Sequence, residues 1–185
     1  MKYEITKDFK FAAGHRVPTQ SVNEHLALTN VNKCRHLHGH EYKVAVTIGS
    51  DILNVGVVTD FNHLNKLKEY IDKTFDHRFI LWVDDPLYDI MIGHMLPNTQ
   101  DEIRLKLRTV QDVYIVKAQL EGAIQELIES FVIVDFIPTA ESIAEHISNY
   151  IQKNIVPKIE KGCKLLKVEV YETSTSSAVF IPVNE

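Results

Sequence analysis

Apolar and polar positions alternate from the start of the chain. Tyr3 and Ile5, then Phe9 and Phe11, hold one phase that breaks only at Lys7, the pattern of a strand with one buried face. A stretch rich in Asn and Thr, residues 17–33, is expected as a loop. Alternation returns more clearly at Tyr42, Val44, Val46 and Ile48, interleaved with Lys43, Ala45 and Thr47, which predicts a second strand. A short apolar segment, residues 55–58, leads to Asp60, a helix N-cap residue. Phe61, Leu64, Leu67, Ile71 and Phe75 then recur at three- and four-residue spacing, predicting a helix that buries one face. A second helix opens at Pro138-Thr139 with Thr139 as its cap. It presents Ile143, Ile147, Tyr150 and Ile151, with Ala144 beside them, and closes at Pro157. Two final strands are expected, one where Leu166, Val168 and Val170 alternate with Lys167 and Glu169, the other over residues 178–183.

The order strand, strand, helix, helix, strand, strand predicts an α+β fold, a four-stranded antiparallel sheet with two helices on one face. Residues 82–137 interrupt that order. Val113, Val116, Leu120, Ile124, Leu127 and Phe131 form a helical stripe within them, and nothing there resembles a linker. The segment is therefore expected as an ordered, largely helical insertion (residues 82–137) inside a single domain spanning residues 1–185. No internal repeat is visible.

Composition narrows the class. With 45% hydrophobic and 24% charged residues, seven glycines and six prolines among 185 residues, the chain is neither disordered nor fibrous. Its length suffices for a core without disulfide staples. Two cysteines, Cys34 and Cys163, argue against a secreted disulfide scaffold and fit a reducing cytoplasm. A formal charge of −5 argues against broad nucleic-acid binding. The N-terminus reaches charge at once in Met1-Lys2-Tyr3-Glu4, so no signal peptide is expected, and apolar runs such as residues 131–134 are far too short to span a membrane. A cytoplasmic protein without nucleic-acid or membrane partners is expected.

Nine histidines is a high count, and three crowd into Arg35-His36-Leu37-His38-Gly39-His40. On an extended chain His38 and His40 face the same way and can share an ion. His36 would fall too early, in the loop. His15, at the end of the first strand, is the candidate third ligand if the two strands pair. Three neutral imidazoles with one open position is a catalytic zinc arrangement, although an isolated His-x-His also suits surface or hydrogen-bonded histidines. Gly39 permits close backbone approach to a ligand. Cys34 reads as a small buried hydrophobe or, beside a metal, as a thiolate base. Asp76-His77 reads as a carboxylate-oriented imidazole for proton transfer or as a helix terminus. Glu172, ending the third strand, reads as a turn residue or as an acceptor for a guanidine-like ring edge.

Together these segments resemble the zinc-dependent 6-pyruvoyl-tetrahydropterin synthase and 6-carboxytetrahydropterin synthase family. The matching stretches are Phe11-Ala12-Ala13-Gly14-His15, Cys34 through His40 with Glu41-Tyr42, Asp60-Phe61, Asp76-His77, Pro138-Thr139-Ala140-Glu141 and Tyr171-Glu172-Thr173. They occur in the family's order over nearly the whole chain apart from the insertion. The resemblance implies zinc (Zn2+) on His15, His38 and His40, Cys34 as general base, Asp76 and His77 as proton relay, and Glu172 as anchor of the pterin ring. It also implies the tunnelling fold, a pterin substrate, and a homo-oligomer, commonly a hexamer, with active sites between subunits. For the triphosphate of the substrate, Arg16 and Lys33 are the candidate cations.

Three residues separate Cys34 from the His-Gly-His motif, as is typical of the 6-carboxytetrahydropterin synthases of 7-deazaguanine (queuosine) biosynthesis. The pyruvoyl-forming enzymes typically have five. The implied activity is a lyase reaction that converts 7,8-dihydroneopterin triphosphate to 6-carboxytetrahydropterin with loss of acetaldehyde and triphosphate. The alternatives are a pyruvoyl-forming or diverged pterin lyase, and a non-enzymatic zinc- or pterin-binding assembly protein. The chain departs from the family at Gly14, where Ala is usual, and after Asp76-His77, where Arg78-Phe79-Ile80-Leu81-Trp82 replaces a run towards Leu-Asn.

Overall fold

In the computed structural model of the protein, residues 1–23, 25–26, 31–110, 112–116 and 121–183 are described. Their elements run β1 (Tyr3–His15), β2 (His38–Ser50), α1 (Asn65–Thr74), β3 (Arg78–Trp82), α2 (Tyr88–Met91), α3 (Gln100–Val110), β4 (Tyr114–Ile115), α4 (Ala123–Glu129), β5 (Phe131–Val134), α5 (Ala140–Asn154), β6 (Lys164–Tyr171) and β7 (Ser177–Phe180). The strand order is β4-β5-β3-β1-β2-β6-β7. No helix among the described residues is long and apolar enough to cross a membrane. The chain divides into two compact units, and β1 and β2 each contribute residues to both. The first comprises Met1–Phe11, Glu41–Lys73 and Thr139–Glu185, the second Ala12–His40 and Thr74–Pro138.

In the first unit the alternating patterns become antiparallel strands. β2 pairs with β6 in the register Val44↔Val170 and Val46↔Val168, and β6 pairs with β7. The inward positions Tyr42, Val44, Val46 and Ile48 are fully buried, and Phe11 stacks on Tyr42 with ring centroids 5.0 Å apart. α5 buries Ile143, Ala144, Ile147 and Ile151 and packs on β6 and β7. The Thr139 hydroxyl accepts from the Ser142 N–H at 3.3 Å, which caps the helix as expected. Asp60 likewise accepts from the Asn62 N–H at 2.7 Å, but the turn that it starts, Phe61–Leu64, is a 3₁₀ turn. Leu64, Leu67 and Ile71 are fully buried as expected, whereas Phe61, at the start of this turn, is half-exposed instead of buried.

The second unit corrects the predicted four-stranded antiparallel sheet, because β3, β4 and β5 bring the strand total among the described residues to seven. β3 runs parallel to both β1 and β5. Parallel strands are buried on both faces and read as continuous apolar runs without alternation, which is why Ile80-Leu81 and the wholly buried Phe131–Val134 gave no strand signal. The helical stripe predicted from Val113 to Phe131 breaks into β4, α4 and β5, with Gly122 at φ +62° opening α4. Its Leu120 lies outside the described residues. α3 instead supplies Ile103 and Leu107 to a core with Leu81, Tyr88, Ile128 and Ile133. Gly14 pairs with Phe79, and a Cβ at residue 14 would lie 2.6 Å from the Phe79 ring. The two departures from the family pattern are thus one packing feature.

Candidate active site

β1 ends at His15 and β2 opens with His38-Gly39-His40, all within the second unit. Extended backbone puts His38 and His40 on one side, half-buried, with Gly39 and Glu41 turned outward to solvent. His15 is fully buried. The ring centroids lie 4.5 Å apart for His15–His38, 5.3 Å for His15–His40 and 5.0 Å for His38–His40. One nitrogen from each ring falls within 4.8 Å of the others. A Cβ at Gly39 would stand 2.9 Å from the Ala13 carbonyl oxygen, so the glycine serves the approach of one strand to the other, where the sequence suggested approach to a ligand.

Two of the rings are oriented by backbone. His15 Nδ1 lies 2.6 Å from the Pro138 carbonyl oxygen, and His38 Nδ1 lies 2.8 Å from that of His36. A carbonyl only accepts, so each Nδ1 carries a proton, and in the neutral ring Nε2 is the nitrogen whose lone pair is available to a ligand. This is how metal-ligating imidazoles are usually held. Three neutral nitrogens with no thiolate suit a divalent ion of the zinc type. His36 is exposed and contributes its carbonyl, not its ring, as its loop position suggested.

Asp76 and His77 form a separate pair, Oδ2 to Nδ1 2.9 Å apart. It is clamped onto β1. Asp76 Oδ1 accepts from the Ala12 N–H at 2.9 Å, and the His77 N–H donates to the Ala12 carbonyl at 2.7 Å. These bonds hold His77 at φ +58°, a conformation that costs a residue with a side chain about 1–3 kcal/mol. The imidazole is 83% exposed, so it is open to solvent.

Cys34 lies on a 3₁₀ turn, Lys33–Arg35, as a half-buried free thiol. The segment that follows His15 cradles this turn. Val17 N–H donates to the Cys34 carbonyl at 2.7 Å, Gln20 Oε1 accepts from the Cys34 N–H at 2.9 Å, and Arg35 Nε donates to the Gln20 carbonyl at 2.7 Å. Arg16 Nε adds a bond to the Arg35 carbonyl at 2.9 Å, while its Nη1 donates to Asp85 Oδ1 at 2.9 Å. Arg16 is therefore spent inside the protein, which removes it as a candidate for the triphosphate. Lys33 is exposed. Glu172, in the first unit, directly follows β6, and its N–H bonds the Ser176 carbonyl at 3.1 Å across a tight turn. Sequence reasoning missed Asp85, whose only signal is an acidic residue after an apolar run.

A family model described as 6-pyruvoyl tetrahydropterin synthase matches residues 4–182. A 6-carboxy-5,6,7,8-tetrahydropterin synthase of Aquifex aeolicus is 35% identical over 97% of this chain and 98% of its own. One of Rickettsia typhi is 30% identical over 92% and 94%. Among solved structures, an uncharacterized protein of Wolinella succinogenes is 37% identical with a TM-score of 0.81, covering 97% of each chain. The 6-pyruvoyl tetrahydropterin synthase of Plasmodium vivax, 19% identical with a TM-score of 0.56 over 96% of each chain, shares the fold. The architecture is the tunnelling fold.

Proposed function

Because the chain belongs to the 6-pyruvoyl tetrahydropterin synthase family, a family of lyases, we propose that it is a zinc-dependent 6-carboxy-5,6,7,8-tetrahydropterin synthase. Its substrate is 7,8-dihydroneopterin triphosphate, which with water gives 6-carboxytetrahydropterin, acetaldehyde and triphosphate. The observation that carries this reading is the convergence of three imidazoles, two with tautomers set by backbone carbonyls. The relatives named for the carboxy-forming reaction and the three-residue gap between Cys34 and His38 support the branch.

His15, His38 and His40 hold the ion through one ring nitrogen each. Zinc there supplies Lewis acidity toward the hydroxyl oxygens of the substrate side chain. Cys34 Sγ takes a proton from that side chain as general base. The His77 ring returns one, and the Asp76 carboxylate 2.9 Å away orients the ring for it. Glu172 accepts from the amino group and the adjacent ring N–H of the pterin, a charge-assisted pair that orients the ring. Lys33 meets the triphosphate. The protein acts in the cytoplasm, where the free thiols Cys34 and Cys163 stay reduced. It works as a homo-oligomer, a hexamer by the family resemblance, with sites between subunits.

The test is incubation of zinc-loaded protein with 7,8-dihydroneopterin triphosphate and identification of the products. Carboxylated pterin with stoichiometric acetaldehyde is expected. Formation of 6-pyruvoyl-tetrahydropterin without acetaldehyde would move the chain to the pyruvoyl branch. Cys34→Ala is expected to abolish turnover while zinc stays near one per chain, and Glu172→Gln to raise KM with zinc retained. Loss of zinc from Glu172→Gln would make that carboxylate a ligand in place of a ring anchor.

A further inference from the structure

We infer that Asp85 and Arg16 form a positioning pair that sets the turn carrying Cys34, so that residues 82–137 take part in catalysis at one remove. The inference rests on the reading of Cys34 as general base. Arg16 bridges two parts of the second unit. Its Nη1 meets Asp85 Oδ1 at 2.9 Å, and its Nε meets the carbonyl of Arg35, next to Cys34, at 2.9 Å. The two charged side chains are 10% and 1% exposed.

Asp85 is itself held. Its Oδ1 also accepts from the Leu87 N–H at 2.8 Å, and its own N–H donates to the Trp82 carbonyl at 3.1 Å, in the turn between β3 and α2. A buried guanidinium needs its counter-charge, because alone it would forfeit hydration without repayment. Paired, it has one fixed place, and its planar fork hands that place on to the Arg35 carbonyl. Val17 and Gln20 supply further bonds to the Cys34 turn. Arg16 is the member of this cradle that is tied through an ion pair to the segment following β3.

Stability and position are separable here. An ion pair replaced by apolar residues of similar volume commonly leaves a fold as stable as before. The double variant Arg16→Met/Asp85→Leu therefore drops the bond to Arg35 without leaving a buried charge unpaired, at the cost of the acceptor for the Leu87 N–H. Full-length double variant, Arg16→Lys (which keeps the charge and loses the Nε donor) and Cys34→Ala are compared with the parent. The measurements are melting temperature, zinc content, kcat and KM, and the rate at which iodoacetamide alkylates Cys34 by mass spectrometry. The buried Cys163, whose Sγ donates to the Val58 carbonyl at 3.2 Å, is the slow internal reference.

The expected result is a folded, zinc-loaded double variant in which kcat falls roughly 100-fold, as misplacement of a reacting group by about 1 Å can produce. KM stays within about threefold on the same ground, and alkylation of Cys34 changes in rate. Arg16→Lys is expected to show the same changes in milder form and decides the matter if the double variant does not fold. Unchanged kcat and unchanged alkylation in a folded variant overturn the proposal, as does loss of zinc, which would place the pair in support of His15 instead. If Cys34→Ala turns over normally, the base assignment fails, while the alkylation rates still report whether the pair holds the turn.

Discussion

The two compact units bury different chemistry. Among the described residues, the buried polar side chains of the first include the hydroxyls of Thr47, Ser50, Thr59 and Ser148 and the phenol of Tyr42. In the second they include His15, Arg16 and Asp85, and the phenol of Tyr88 is buried there as well. The first is stabilised as an ordinary α+β core, by apolar faces meeting apolar faces. The second carries imidazole, guanidinium and carboxylate in its interior, each of which costs free energy unless a partner or ligand answers it. The contrast separates a packing unit from a unit whose interior is organised around chemistry.

The largest effect expected from attacking this division is at His15. His15→Ala should lower zinc content from near one per chain toward zero, measured by metal analysis after dialysis. Retention of stoichiometric zinc would sink the three-imidazole centre.

Next come matched core truncations, Ile147→Ala in the first unit and Ile103→Ala in the second, both positions being fully buried. Each should cost about 2–5 kcal/mol in denaturant unfolding. Ile147→Ala should leave zinc affinity unchanged below its melting point. If it weakens zinc binding as much as Ile103→Ala does, the two interiors are not functionally distinct.

Tyr88 probes the unit's buried polar load on a smaller scale. Its hydroxyl is buried with no hydrogen-bond partner among the described residues, and burial, with Asp89 adding to it, pushes its pKa up to about 12. The folded state thus holds the phenolic proton above the pH at which the unfolded chain releases it. The resulting stability is fully present below pH about 10 and is lost as pH rises through about 12. Tyr88→Phe should remove that alkaline slope and raise stability at neutral pH by about 1 kcal/mol, read from melts across pH. A destabilised variant would mean that the hydroxyl has a partner.

The smallest effect is at the start of α3. There Glu102 accepts from the Thr99 N–H at 2.8 Å and Thr99 Oγ1 accepts from the Glu102 N–H at 3.3 Å, a reciprocal cap. The Thr99 bond holds the Glu102 carboxyl below its ordinary range, with Asn98 adding to the effect. This contribution is present above the carboxylate range and fades as pH falls through the folded-state pKa. Glu102→Gln should flatten that acid-side dependence slightly. An identical pH profile would remove the cap from the account.

The same contrast explains what could be read in advance. Tyr42 through Ile48 alternate because one sheet face is buried, and Thr139 announces α5 because a free N-terminal turn needs an acceptor. Both signals are local. Phe131–Val134 reads alike as buried helix or parallel strand, so β5 was invisible until its pairing with β3 was known. His38 and His40 were legible from a two-residue period, and His15 from its place at a strand end. The Asp76 clamp on Ala12 and the Arg16–Asp85 pair join residues 64 and 69 positions apart, and no window of sequence contains them.

The Phe79 ring fills the volume that a methyl group on residue 14 would need. These positions therefore make one choice between them, a phenyl with bare backbone opposite or a smaller partner with alanine. A related chain that combines alanine with phenylalanine must either turn that ring aside or hold its third strand farther from the first. In the second case its aspartate–histidine couple, directly upstream of that strand, would be displaced with it.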